Sequence, residues 1–141
     1  MSSALECRAV EERSASGAGN IVRKTVLIVD DNEDFRVGLA ELLRMEERGL
    51  TVHAVENGEQ AASVVRSTHV DLVITDLKMP VMDGPELMLW MSEFRPGVPV
   101  IVVSSAGAEE IFDLRTRGVL FFDKPLDFTA LAASVRSLLT S

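Results

Sequence analysis

The sequence predicts a doubly wound α/β domain built on a five-stranded parallel sheet. Three observations lead there. Five short apolar runs, at residues 25–29, 50–55, 72–75, 98–103 and 119–122, recur through the 141-residue chain. Their apolar character is continuous rather than alternating, the pattern of strands covered on both faces. Each run is followed by a segment with helical spacing, and strict strand–helix alternation is satisfied by a parallel sheet with helices on both sides.

Taken in order, residues 1–23 hold Glu6, Glu11 and Glu12 against Arg8, Arg13 and Arg23, and run into the Ser/Ala/Gly stretch 14–19. They read as a flexible tail, with a short helix over 3–13 as the lesser option. The domain proper is expected over 24–141. Its first strand, TVLIV, ends in Asp30 and Asp31. Asn32 suits the N-cap of a first helix in which Phe35, Leu39, Leu42 and Leu43 recur at helical spacing, and Gly49 stops it. After the strand at 50–55, Gly58 precedes a short second helix from Glu59 to Ser67. After the strand at 72–75, Pro85 opens a third helix that Pro96 and Gly97 close. A fourth helix is expected over 108–117, ended by Gly118, and Asp127 caps a fifth carrying Ala130, Leu131, Val135, Leu138 and Leu139. At this size the flavodoxin-like strand order 2-1-3-4-5 is the commonest solution. No appended DNA-binding or catalytic domain is expected beyond the fifth helix.

Composition narrows the function. Apolar residues make up 47% of the chain, enough for a normal core. The formal net charge of −8 disfavours nucleic acid and anionic membranes as partners. The single cysteine, Cys7, has no internal disulfide partner, which suits a reducing compartment. No apolar run approaches the ~20 residues of a membrane span, and the N-terminus lacks the basic and apolar regions of a signal peptide. A cytoplasmic protein is expected. His53 and His69 stand apart without ligand spacing and read as structural.

Functional side chains of open α/β sheets gather at the carboxyl ends of the strands. Asp30 and Asp31 follow the first strand, Asp76 the third, Ser104 and Ser105 the fourth, and Lys124 with Pro125 the fifth. Alone, Asp30-Asp31 suits helix capping, Asp76 a turn, and Ser104 a cap. Together, three carboxylates converging on one edge repel one another and call for a cation. Mg²⁺, which takes oxygen ligands, fits Asp30 and Asp31 as a seat. A flavin or dinucleotide would need a glycine-rich loop after the first strand, and no G-x-G-x-x-G stands there. Asp76 then reads as a nucleophile toward a phosphoryl group, with Mg²⁺ and Lys124 meeting the charge and Ser104 bonding a phosphoryl oxygen.

With these residues in place, the chain resembles the receiver domains of two-component response regulators, the CheY-like family. The resemblance spans roughly 24–139 and rests on V-L-I-V-D-D, D-L-K-M-P-V-M-D-G (76–84), P-V-I-V-V-S-S (99–105) and F-F-D-K-P-L (121–126), in order. It implies that Asp76 is the phosphoacceptor, that Asp31 binds Mg²⁺ directly and Asp30 mostly through water, and that the Lys78 backbone carbonyl completes the protein ligands. It implies that Ser104 is the switch hydroxyl, Lys124 the phosphate-binding lysine, Pro125 a cis-proline and Phe121 the switch aromatic. The chain has no tyrosine, so readout through Phe121 would rest on packing alone. Lys78 and Ala106 occupy the positions that tune phosphoryl lifetime in the family, with opposing effects.

With no domain expected beyond the fifth helix, a stand-alone receiver is expected; the resemblance implies that it is not an enzyme with an external product, though one with slow autodephosphorylation. A histidine kinase or histidine phosphotransfer protein would donate to Asp76. A protein target would read the face of the fourth helix, fifth strand and fifth helix, where Ile111, Phe112 and Arg115 are candidates, as a monomer or a phosphorylation-dependent dimer. Two alternatives stand beside this: a receiver-fold interaction module signalling without phosphate, and a phosphatase of the haloacid dehalogenase type. The latter needs a second carboxylate two residues past the nucleophile, where Lys78 stands.

Overall fold

The computed structural model describes residues 23–105 and 119–140. Five strands, β1 (Thr25–Val29), β2 (Thr51–Val55), β3 (Leu72–Thr75), β4 (Val100–Ser104) and β5 (Leu120–Asp123), form one sheet in the order β2-β1-β3-β4-β5. Every pairing is parallel, and the predicted fold class and strand order are met. Four helices are described: α1 (Glu33–Glu46), α2 (Gly58–Ser67), α3 (Gly84–Phe94) and α4 (Phe128–Thr140). The last is the fifth helix of the sequence reading. Residues 1–22 of the tail with its optional helix, Cys7, Ala106, the helix expected over 108–117 with Gly118, and the candidates Ile111, Phe112 and Arg115 lie outside the described residues.

Strand alternation divides β1 between two cores. Val26 and Ile28 pack with Leu39 and Leu43 of α1 and with Leu131 and Val135 of α4. Leu27 and Val29 face the other way, against Ala61 and Val65 of α2 and Leu87 and Met91 of α3. These four β1 side chains are at most 1% exposed. Each such burial is worth about 1.5–3 kcal/mol, so β1 is the rigid spine on which the site is hung.

Polar caps set where the helices start. Asn32 Oδ1 accepts from the Phe35 amide at 2.9 Å, Asn57 Oδ1 from Gln60 at 2.8 Å, and Asp127 Oδ1 from Ala130 at 3.1 Å. Asp83 heads α3 in a capping box, accepting from the Glu86 amide while the Glu86 carboxylate accepts from the Asp83 amide, 3.0 Å each way. Asp83 and Gly84 are therefore a helix start. β4 begins two residues later than expected, because the Val98 amide turns back to the Arg95 carbonyl and Pro99 has no amide to give. α1 ends at Glu46, and Gly49 sits in the loop beyond it with φ 88°. Leu42 points outward and is 44% exposed, while Leu39 and Leu43 carry the core face.

Candidate functional site

The carboxyl edge of the sheet assembles the site through backbone bonds that continue the ladders one residue past the strands. The Asp30 amide donates to the Val55 carbonyl at 3.1 Å, the Asp76 amide to Val29 at 3.0 Å, and the Lys124 amide to Ser104 at 3.2 Å. Side chains leaving three non-adjacent stretches of sequence are thereby held at one edge.

Asp30, Asp31 and Asp76 each present a carboxylate oxygen within 4.8 Å of the others. Asp30 is buried, Asp76 half-buried and Asp31 exposed. Lys124 reaches across to them: its Nζ lies 2.9 Å from Asp30 Oδ2 and 3.1 Å from Asp76 Oδ2. The second Asp30 oxygen accepts from the Asn32 amide at 2.9 Å, and Asp76 Oδ1 accepts from Leu77 at 2.6 Å. Burial pushes the Asp30 carboxyl above its ordinary value, against the Asn32 amide and Lys124, which pull it down. For Lys124 burial works downward, but hydrogen bonds and charge from Asp30, then Asp76, outweigh it and hold the ammonium above its ordinary value. An oxygen-only set of three carboxylates is a hard donor set and fits Mg²⁺.

The remaining predicted site residues fall around this group. Ser104 is buried at the end of β4, in register with Asp123 of β5. Lys78 is exposed on the loop after Asp76. The Lys124–Pro125 peptide is cis. Phe121 is half-buried further down β5, against Leu77 and Val102, and is not part of the acidic group.

Sequence reasoning missed the residues that hold the Asp76 loop. A Cβ on Gly84 would sit 2.4 Å from the Asp76 carbonyl oxygen and 2.8 Å from Leu77 Cα. One on Gly58 would sit 2.6 Å from the Met82 carbonyl oxygen. Their amides bind the same loop, Gly84 to Leu77 at 2.8 Å and Gly58 to Met82 at 2.9 Å. The loop therefore rests directly on the starts of α2 and α3, and only glycine admits the approach. The available signal was a glycine opening each helix. Arg36 was also missed: its guanidinium donates to the Asp30 carbonyl at 2.9 Å.

Known proteins resemble this chain in sequence and in fold. The family model described as "Response regulator receiver domain" matches residues 26–136. Sporulation initiation phosphotransferase F of Bacillus subtilis is 31% identical over 121 residues, covering 84% of this chain and 96% of that protein. The chemotaxis protein CheY of Halobacterium salinarum is 39% identical over 87 residues, covering 62% of this chain and 71% of that one. The crystal structure of a response regulator receiver protein from Pseudomonas putida superposes with a TM-score of 0.75 at 31% identity, covering 82% of this chain and 98% of that one. Several other curated relatives, transcriptional regulatory proteins and sensor kinases among them, are longer, and the chain spans 37% or less of their length.

Proposed function

The chain belongs to the response regulator receiver family, and from that premise we propose that it is a stand-alone receiver accepting a phosphoryl group on Asp76 from a histidine kinase or histidine phosphotransfer protein. The observation that carries this is the grouping of Asp76 with Asp30, Asp31 and the Lys124 ammonium on one sheet edge.

In the proposed step an Asp76 carboxylate oxygen attacks phosphorus as the P–N bond of a phosphohistidine breaks. The electron pair of that bond leaves with the imidazole, which takes up a proton, and an acyl phosphate forms on Asp76. Asp30, Asp31 and Asp76, with the Lys78 carbonyl, would hold Mg²⁺, which when bound neutralises charge on the phosphoryl oxygens. Lys124 exchanges its bond to Asp76 Oδ2 for one to a phosphoryl oxygen, and the Ser104 hydroxyl donates to another. Drawing Ser104 inward relaxes the packing around Phe121 and shifts a two-state equilibrium at the surface a partner protein reads. Attack of water on phosphorus breaks the carboxyl O–P bond, returns the Asp76 carboxylate and releases inorganic phosphate, so the cycle resets. Among the described residues no helix is long and apolar enough to cross a membrane. A cytoplasmic location belongs to the same proposal, as the compartment in which a histidine kinase would donate its phosphoryl group.

A crystal grown with Mg²⁺ and beryllofluoride, a phosphoryl mimic, tests the reading. The expected result is beryllofluoride on Asp76 with Lys124 and Ser104 on its fluorines. An empty site with the three carboxylates turned apart would overturn it.

A further inference from the structure

Lys124 has a third neighbour besides its two carboxylates. Its Nζ lies 4.3 Å from the centroid of the Phe35 ring, inside the range at which a cation is drawn to an aromatic face. An ammonium has three donors; Asp30 and Asp76 engage two, and the Phe35 ring lies against the same group. The ring is not held by the lysine. Its backbone amide is tied to the Asn32 cap, and the side chain packs against the core that joins α1 to α4. Phe35 also lines an apolar cleft with Leu39, Leu126 and Phe128 beside Lys124.

The two carboxylates are uneven anchors for a lysine that must follow a phosphoryl group. Asp76 is the atom set that changes, and Asp30 belongs to the acidic group that would take a metal. The Phe35 face is untouched by either event. We propose that Phe35 is a positioning residue, whose ring holds the Lys124 ammonium at the phosphoryl site when its contact with Asp76 is given up. The inference rests on the phosphoacceptor reading above.

The test separates a ring from mere apolar bulk. Phe35→Leu keeps the packing and removes the π face, and Phe35→Tyr keeps the face. With acetyl phosphate and Mg²⁺, Phe35→Leu is expected to slow phosphorylation of Asp76 about fivefold, and Phe35→Tyr to restore the rate. By NMR, the Lys124 ε-methylene protons should be shifted upfield by the ring in the unmodified protein and in Phe35→Tyr, and lose that shift in Phe35→Leu. Phosphorylation of Phe35→Leu at the unmodified rate, or Lys124 proton positions that ignore the substitution, overturns the proposal. If Phe35→Leu does not fold, the unmodified protein decides by itself: Lys124 ε-methylene protons at the random-coil position overturn the proposal. An unmodified protein that takes no phosphate defeats the acceptor reading instead, and the NMR arm still tests the contact.

Discussion

Replacing Lys124 by methionine keeps an unbranched apolar stem and removes the charge. Its Nζ sits 2.9 Å from Asp30 and 3.1 Å from Asp76. At an effective dielectric of about 20 each contact is worth roughly 5 kcal/mol before desolvation. Desolvation offsets much of that, and removing one partner of a buried pair costs about 3–5 kcal/mol because the other charge is stranded. The Lys124 side chain is 22% exposed while Asp30 is 2% exposed, so water screens the lysine side and the lower end, about 3 kcal/mol, applies. Mg²⁺ should recover part of this loss. Without the ammonium the carboxylates bind a divalent cation more tightly, and at a hundred times the dissociation constant bound ligand adds about 2.7 kcal/mol. Urea melts of both proteins in EDTA and in saturating Mg²⁺ measure it. The variant should lose about 3 kcal/mol in EDTA and clearly less in Mg²⁺. An equal loss in both conditions, or none in EDTA, would refute the reasoning, since the cation's charge would then not be what balances the acidic group.

Three other changes probe neighbouring parts. Gly84→Ala puts a methyl into the Asp76 carbonyl, and should cost about 2 kcal/mol or more and slow acetyl-phosphate labelling of Asp76 together; unchanged labelling with full stability would show that the loop yields. Asp31→Asn should weaken Mg²⁺ binding by about tenfold or more while leaving stability in EDTA unchanged or raised, because it relieves like-charge repulsion; isothermal titration and a melt read the two halves. Asp83→Ala removes the capping box of α3 and should cost about 1 kcal/mol in a urea melt; a change below a few tenths would mean that solvent caps the helix as well.

The acidic edge was legible because its logic is one-dimensional. A parallel sheet puts strand ends on one edge, so Asp30, Asp31, Asp76 and Lys124 could be gathered from their positions after apolar runs. What was not legible depends on distances through space. Gly84 beside Asp83 looks like any turn until the Asp76 carbonyl is found where its Cβ would be. Phe35 falls at helical spacing and reads as core, and nothing in the spacing says that its ring meets an ammonium from β5's far end. The Asp83–Glu86 spacing did carry a capping-box signature that sequence reasoning passed over. The late start of β4 follows from Pro99, whose lack of an amide weighed less in the apolar pattern than it does in the ladder.

The central claim is that Asp76 carries phosphate reversibly. Intact-mass measurement after incubation with acetyl phosphate and Mg²⁺ tests it most directly. The account predicts a gain of about 80 Da that fails to form in EDTA or in Asp76→Asn and decays with time. No gain, or one that persists in Asp76→Asn, would contradict it.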